Sequence, residues 1–417
     1  MNLQFCKRLV LFVVIFCLAV ASSNVFAGKP DKPPKPRPNP DLVDGSACVD
    51  SGSFFPAFVY SIESEKGSEI ILSNAAGDCA IPVYKTSAGI GGTPSYLSYR
   101  LFEEKGRIVF TEAQPITSRP FRDTPPKIQL LEFQFDGAEI VSELPLSPTL
   151  LIEGPDIDGM RQGNFRASDL SPSGEHVLFA GYTVDSETGT KTNYFIEEIE
   201  IECSPVTNCR NRVFETRLMD GYLPVVQSPR YSLTRDRIYF EYGSSVRKLA
   251  FIEKDLNGEW PSLDYDQSTD PQLSSDPTLI LKHGDGRYQF ALGYWDHDGD
   301  TIIDEVIAHP RRFPELDAYT IEILDVEHCL STEPPGANEC VVSGARSDDA
   351  LVIYGSGPSF ITIPDDNPKL LFMDEVNGSF GPAIFEFELD TAAESILIDA
   401  LESRKHEQVI QGVDSAN

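Results

Sequence analysis

The most reactive stretch of this chain is WDHDGDTIIDE, from Trp295 to Glu305. Asp296, Asp298, Asp300 and Asp304 take positions 1, 3, 5 and 9 of a calcium-binding loop, and the carbonyl of Ile302 falls at position 7. Hard oxygen ligands at that spacing wrap a Ca²⁺ ion, with Glu305 as a substitute ligand. Two departures weaken the loop: Thr301 stands where a glycine makes the sharp turn, and Ile307 stands where a bidentate Glu closes the site. The expected affinity is therefore low, on the order of 10⁻⁴ to 10⁻³ M. A plainer reading of the same residues is an acidic hairpin turn built on Asp298-Gly299.

Six cysteines follow residue 27, and their spacing pairs them as Cys48 with Cys79, Cys203 with Cys209, and Cys329 with Cys340. Three disulfides suit an oxidising compartment, each worth on the order of 2 to 4 kcal/mol. A zinc site would want CxxC spacing or clustered His, and neither occurs. Enzyme motifs are equally scarce. The chain has no GxSxG and no HExxH, and the glycines of SAGIGGTPS are in the wrong register to cradle phosphate. His176 and His309 fall on expected strands, where a satisfied structural histidine is the expectation.

The elements that carry these residues repeat. LFEEKGRIVF from Leu101, LSPSGEHVLF from Leu170, YSLTRDRIYF from Tyr231 and IPDDNPKLLF from Ile363 share one pattern: an apolar residue, a polar turn, then an apolar strand closing on Phe. WDHDGDTIIDEVIA is a fifth copy. The closing residues Phe110, Phe179, Phe240 and Phe372 imply a period of about 60 to 70 residues, long enough for four strands. Such units cannot bury their own faces and must stack on neighbours. The fold class expected is all-β, a six-bladed β-propeller of four-stranded antiparallel blades spanning residues 41–417. Blade one is a strand short, and either the C-terminal EQVIQGVD completes it or that end frays behind a short helix from about Thr391.

These turn-and-strand units, above all LSPSGEHVLF and PRYSLTRDRIYF, resemble the repeat of TolB-like β-propellers. The resemblance runs from Leu101 to Phe372 and implies an exported six-bladed propeller, often a protein-binding platform. TolB itself carries an α/β domain ahead of its propeller, whereas here the first expected strand follows closely on a proline-rich stretch.

In a propeller the turns between first and second strands share one face with those between third and fourth. The acidic loop and all three disulfides fall on that face. The opposite face collects Tyr96, Phe165 and Arg166, Arg230 and Tyr231, Arg287 and Tyr288, and Phe360, aromatic and arginine residues of the kind that anchor protein interfaces. The alternative is that the aromatics plug the central channel. Two functions follow: a non-enzymatic platform binding a protein or ligand, or a hydrolase or lyase at the propeller mouth that uses the arginines on anionic glycans or peptides.

The ends and the charge set the compartment. Residues 1–27 hold Lys7 and Arg8, an apolar run and Val25-Phe26-Ala27, the layout of a secretory signal peptide, with an uncleaved anchor as the alternative. Residues 28–40 carry six prolines and four basic residues and read as a polyproline II spacer, either a solvated linker or a basic tether. The formal charge of −31 argues against nucleic-acid partners. A periplasmic or secreted monomer without a membrane span is the expectation, with an envelope or extracellular protein as partner.

Overall fold

A computed structural model describes residues 56–415 apart from connecting segments, the longest being 87–93, 113–126, 154–160, 218–223, 264–276, 284–289, 332–339, 344–352, 362–368, 374–382 and 400–408. The expected signal peptide and linker lie outside the described residues.

The first strands are β1 (Phe58–Ser64), β2 (Gly67–Ser73) and β3 (Ala80–Thr86). Next come β4 (Pro94–Phe102), β5 (Lys105–Glu112), β6 (Lys127–Gln134) and β7 (Thr149–Glu153). The third group is β8 (Arg161–Leu170), β9 (His176–Val184), β10 (Lys191–Glu200) and β11 (Arg210–Arg217). The fourth is β12 (Val225–Tyr231), β13 (Arg237–Gly243), β14 (Arg247–Glu253) and β15 (Thr278–His283). The fifth is β16 (Ala291–Trp295), β17 (Asp304–Phe313), β18 (Ala318–Asp325), helix α1 (Val326–Ser331), β19 (Val341–Ser343) and β20 (Ile353–Tyr354). The chain ends with β21 (Ser356–Ile361), β22 (Lys369–Met373), β23 (Ala383–Glu388), β24 (Ala393–Asp399) and β25 (Val409–Ser415).

Every ladder is antiparallel, each group forms its own sheet, and consecutive strands are neighbours within it. The exceptions are β20, which pairs with β18, and β25, which pairs with β1 as the innermost strand of the first sheet. The C-terminal segment is therefore a strand, not a frayed tail, and it removes the open edge that β1 would otherwise present.

The expectation of six four-stranded blades needs correction at the fifth group. Among the described residues five sheets have four strands, and this one has five. β19 pairs with Ile323 and Leu324, and β20 with Thr320 and Ile321, so the outer edge of β18 is covered by two short pieces instead of one strand.

The closing Phe residues do what the period requires. Phe110, Phe179, Phe240 and Phe372 are all at most 1% exposed and lie between neighbouring sheets. Phe240, for example, packs with Phe214 of the preceding sheet at a ring distance of 4.5 Å. Each sheet shares an apolar cluster with the next, and Phe58 and Ile71 of the first meet Leu371 and Ile384 of the last. Burial at about 25 cal/mol per Å² makes these contacts the main stabilising term.

The Ser-Pro-Ser-Gly turn shows the local logic. Ser171 accepts the His176 N–H on its hydroxyl at 3.0 Å, and its carbonyl accepts the Gly174 N–H at 2.8 Å. Gly174 has φ +71° and sits against the ring of Phe102 from the preceding sheet, so a Cβ would suffer both a left-handed backbone and an overlap.

Candidate functional site

Most innermost strands carry a bulge that shapes the channel, β16 being regular. Their ladders slip at Ser95/Ser98 in β4, Gly163/Arg166 in β8, Gln227/Arg230 in β12 and Ser356/Ser359 in β21. Such bulges re-aim side chains and break pairing. In β12 the bulge holds Ser228 at φ 55°, a positive value rare outside glycine.

Beyond the bulges, three of these strands meet on one carboxylate. Asp169 accepts the Ser98 hydroxyl at 2.9 Å from β4 and the Tyr231 N–H at 2.7 Å from β12. It also faces Arg100 and Arg230, each at 3.5 Å. Asp169 is only 1% exposed and both arginines are buried. A cavity of about 20 Å³, room for one water, lies between Arg100, Asp169, Arg230 and Ser359. Arg100, Asp169 and Arg230 occupy the same place in the repeat, directly before Leu101, Leu170 and Tyr231. Only Arg230 stood out from the sequence. The signal for the other two was this shared register, an Arg–Asp–Arg alternation around the ring.

Of the aromatic and arginine residues expected on one face, Arg287 and Tyr288 lie outside the described residues. Tyr96, Phe165, Arg166 and Phe360 lie on innermost strands at or beside the bulges. Arg230 and Tyr231 do not open the inner strand β12 as expected but close it at its turn end: Arg230 is in the channel cluster, and Tyr231 lines a groove beside His176 and Arg235, 6% exposed, with its hydroxyl donating to Glu198 at 2.7 Å. Burial, and then Glu198, push that phenol well above its ordinary range.

The face on which the inner strands begin carries groups the sequence did not single out. A groove of about 180 Å³ between the third and fourth sheets is lined by Tyr182, Lys191, Tyr194, Gln227 and Arg247. Lys191 sits 4.0 Å above the Tyr182 ring, and Tyr182 meets Tyr194 edge-on at 5.4 Å. On the opposite face, the turns of the same two sheets enclose a groove of about 410 Å³ with His176, Glu198, Arg235, Lys254 and Trp260 on its walls.

His309 is fully buried, and its Nε2 lies 3.1 Å from Glu241, which also accepts the Gln227 amide at 2.7 Å.

The acidic loop divides in two. Asp296, Asp298 and Asp300 form one group of candidate metal ligands, while Asp304 joins His297 and Asp325 in another. Asp296, Asp298 and Asp300 also accept backbone N–H groups from Gly299, Asp300 and Ile302. Ile302 is exposed. Glu305 turns inward, accepting from Ser232 at 2.6 Å, from Tyr294 and from Tyr239, so its carboxylate is committed to the core.

Two disulfides, Cys203–Cys209 and Cys329–Cys340, join the ends of third strands to the starts of fourth strands. Cys79, between β2 and β3, is also disulfide-bonded; Cys48 lies outside the described residues. Among the described residues no helix is long and apolar enough to cross a membrane.

No family model matches this chain, and no curated protein does. Solved propeller structures resemble it. TolB from Acinetobacter baumannii aligns over 88% of this chain and 67% of its own, at 14% identity and TM-score 0.48. A chain of a nidogen/laminin complex aligns over 86% and 98%, at 10% identity and TM-score 0.45. The α-L-arabinofuranosidase from Lactobacillus brevis aligns over 76% and 90%, at 10% identity and TM-score 0.36.

Proposed function

We propose that this chain is an exported, TolB-like propeller that acts as a monomeric, non-enzymatic platform for a protein or ligand in the periplasm or outside the cell. The observation that carries the reading is the groove of Tyr182, Lys191, Tyr194 and Arg247. Amphipathic rings beside cations, in a chain of formal charge −31, form a surface suited to an aromatic or acidic partner segment. The sequence expectation adds Tyr96, Arg166, Arg287, Tyr288 and Phe360 to the proposed recognition face. Calcium, held weakly by Asp296, Asp298 and Asp300, stiffens the opposite rim.

Lys191→Glu with Arg247→Glu tests the platform. Neither residue is buried, so the melting temperature should hold. Capture of the wild-type partner from envelope extract of the source organism should be lost. Capture that survives both charge reversals refutes this face as the recognition surface.

The second reading, a hydrolase or lyase acting on anionic glycans or peptides, draws on the paired Arg100 and Arg230 in the channel. Turnover of a uronate-containing oligosaccharide that disappears in Arg100→Met would favour it.

A further inference from the structure

We propose that His297, Asp304 and Asp325 form a binding site for a borderline divalent transition metal, Zn²⁺ foremost, separate from the Asp296, Asp298 and Asp300 group. The argument is geometric. His297 Nε2 lies 3.1 Å from Asp325 Oδ2 and 3.5 Å from Asp304 Oδ2, and all three ligand atoms fall within 4.8 Å of one another. With metal–ligand bonds of about 2.0 to 2.2 Å, two tetrahedral ligands are about 3.4 Å apart. Two edges of the coordination sphere already have that length, and small side-chain rotations close the third.

Two of the three ligands come from strand ends that hold them firmly, and His297 follows two residues after β16. Asp304 opens β17, where it pairs with Trp295 in the ladder. Asp325 closes β18, and its other oxygen, Oδ1, accepts the His328 N–H at 3.0 Å as the N-cap of α1. That bond leaves Oδ2 for the metal, an outer-shell contact of the kind that orients carboxylate ligands. Cys329 and Cys340 clip the segment just beyond. His297 and Asp304 have side chains 17% and 23% exposed, so an ion can reach them and water can fill the remaining position.

The donor set decides the metal. One imidazole with two carboxylates suits Zn²⁺, Co²⁺ or Mn²⁺, whereas Ca²⁺ takes oxygen alone. The competing account of the same contacts is a histidine bridging two carboxylates with no ion.

The test uses untagged, full-length protein titrated with ZnCl₂ in a calorimeter, and with CoCl₂ followed by visible absorption. Trp295 lies 5.8 Å from the His297 ring, so its fluorescence gives a third readout. One equivalent should bind, and millimolar CaCl₂ should not displace it. His297→Ala should weaken binding by more than the 10- to 100-fold typical of losing an outer-shell contact. Asp325→Asn keeps an acceptor for the helix cap and should also lose affinity. Asp298→Asn with Asp300→Asn should leave Zn²⁺ binding within about twofold, since the second triad is intact. The proposal is overturned if the wild type shows no binding, if His297→Ala binds equally well, or if Ca²⁺ competes. Failure here leaves the partner-binding face untouched, because Lys191 and Arg247 report on that face alone.

Discussion

Replacing Asp169 by Ala should be among the most damaging single changes in the channel. The carboxylate holds Ser98, the Tyr231 N–H and two buried arginines, drawing on three different sheets. Removing it leaves Arg100 and Arg230 buried without that counter-charge, and removing one partner of a buried ion pair costs about 3 to 5 kcal/mol. For a folded unit of roughly 380 residues, an unfolding entropy of about 2.1 cal/mol/K per residue gives roughly 0.8 kcal/mol/K, so the melting temperature should fall by about 4 to 6 °C. Scanning calorimetry at neutral pH measures this directly. Asp169→Leu combined with Arg100→Met and Arg230→Met should recover most of the loss, because well-packed apolar groups replace buried ion pairs at little cost. A melting temperature within about 1 °C of wild type for Asp169→Ala would refute the idea of a desolvated, charge-paired channel.

Cys329→Ser with Cys340→Ser opens a loop of 11 residues and should lower stability by about 3 kcal/mol, read from urea denaturation; an unchanged midpoint would show that α1 holds the segment unaided. Deleting residues 409–417 removes β25 and exposes the inner edge of β1, so the protein should melt earlier and aggregate, as light scattering would show. Glu132 is partly buried, which pushes its carboxyl up, but hydrogen bonds from Lys105 and Arg107 prevail and hold it below its ordinary 4.5. Its ionised form therefore adds stability above that pH, and the gain is lost as pH falls through the lowered value. Glu132→Gln should flatten this acid limb in melts between about pH 5 and 3.

The fold was legible where one residue type recurs at a fixed interval. Phe110, Phe179, Phe240 and Phe372 announce the period because each sheet must offer the same apolar contact to the next. The closing strand was harder to read, since EQVIQGVD is half polar and its partner β1 lies some 350 residues away. The interrupted edge on β18 left no trace in CVVSGAR, which reads as an unbroken strand. In the acidic loop, spacing and fold divide the carboxylates differently, for a definable reason. Counting positions treats Asp304 as part of the turn, whereas the ladder makes it the first residue of β17 and turns it toward Asp325, 21 residues further on. The channel cluster was out of reach to local reading because Ser98 and Tyr231 approach Asp169 from 71 and 62 residues away.

The most direct measurement of the central claim is site-specific photo-crosslinking in the native compartment. A photoreactive residue at Lys191, on the face of the Tyr182 and Tyr194 groove, should give one dominant adduct with a partner. The same residue at Asn257, in the exposed turn on the opposite face, should give none. Adducts from position 257 alone, or equally from both, would contradict the assignment of that face as the recognition surface.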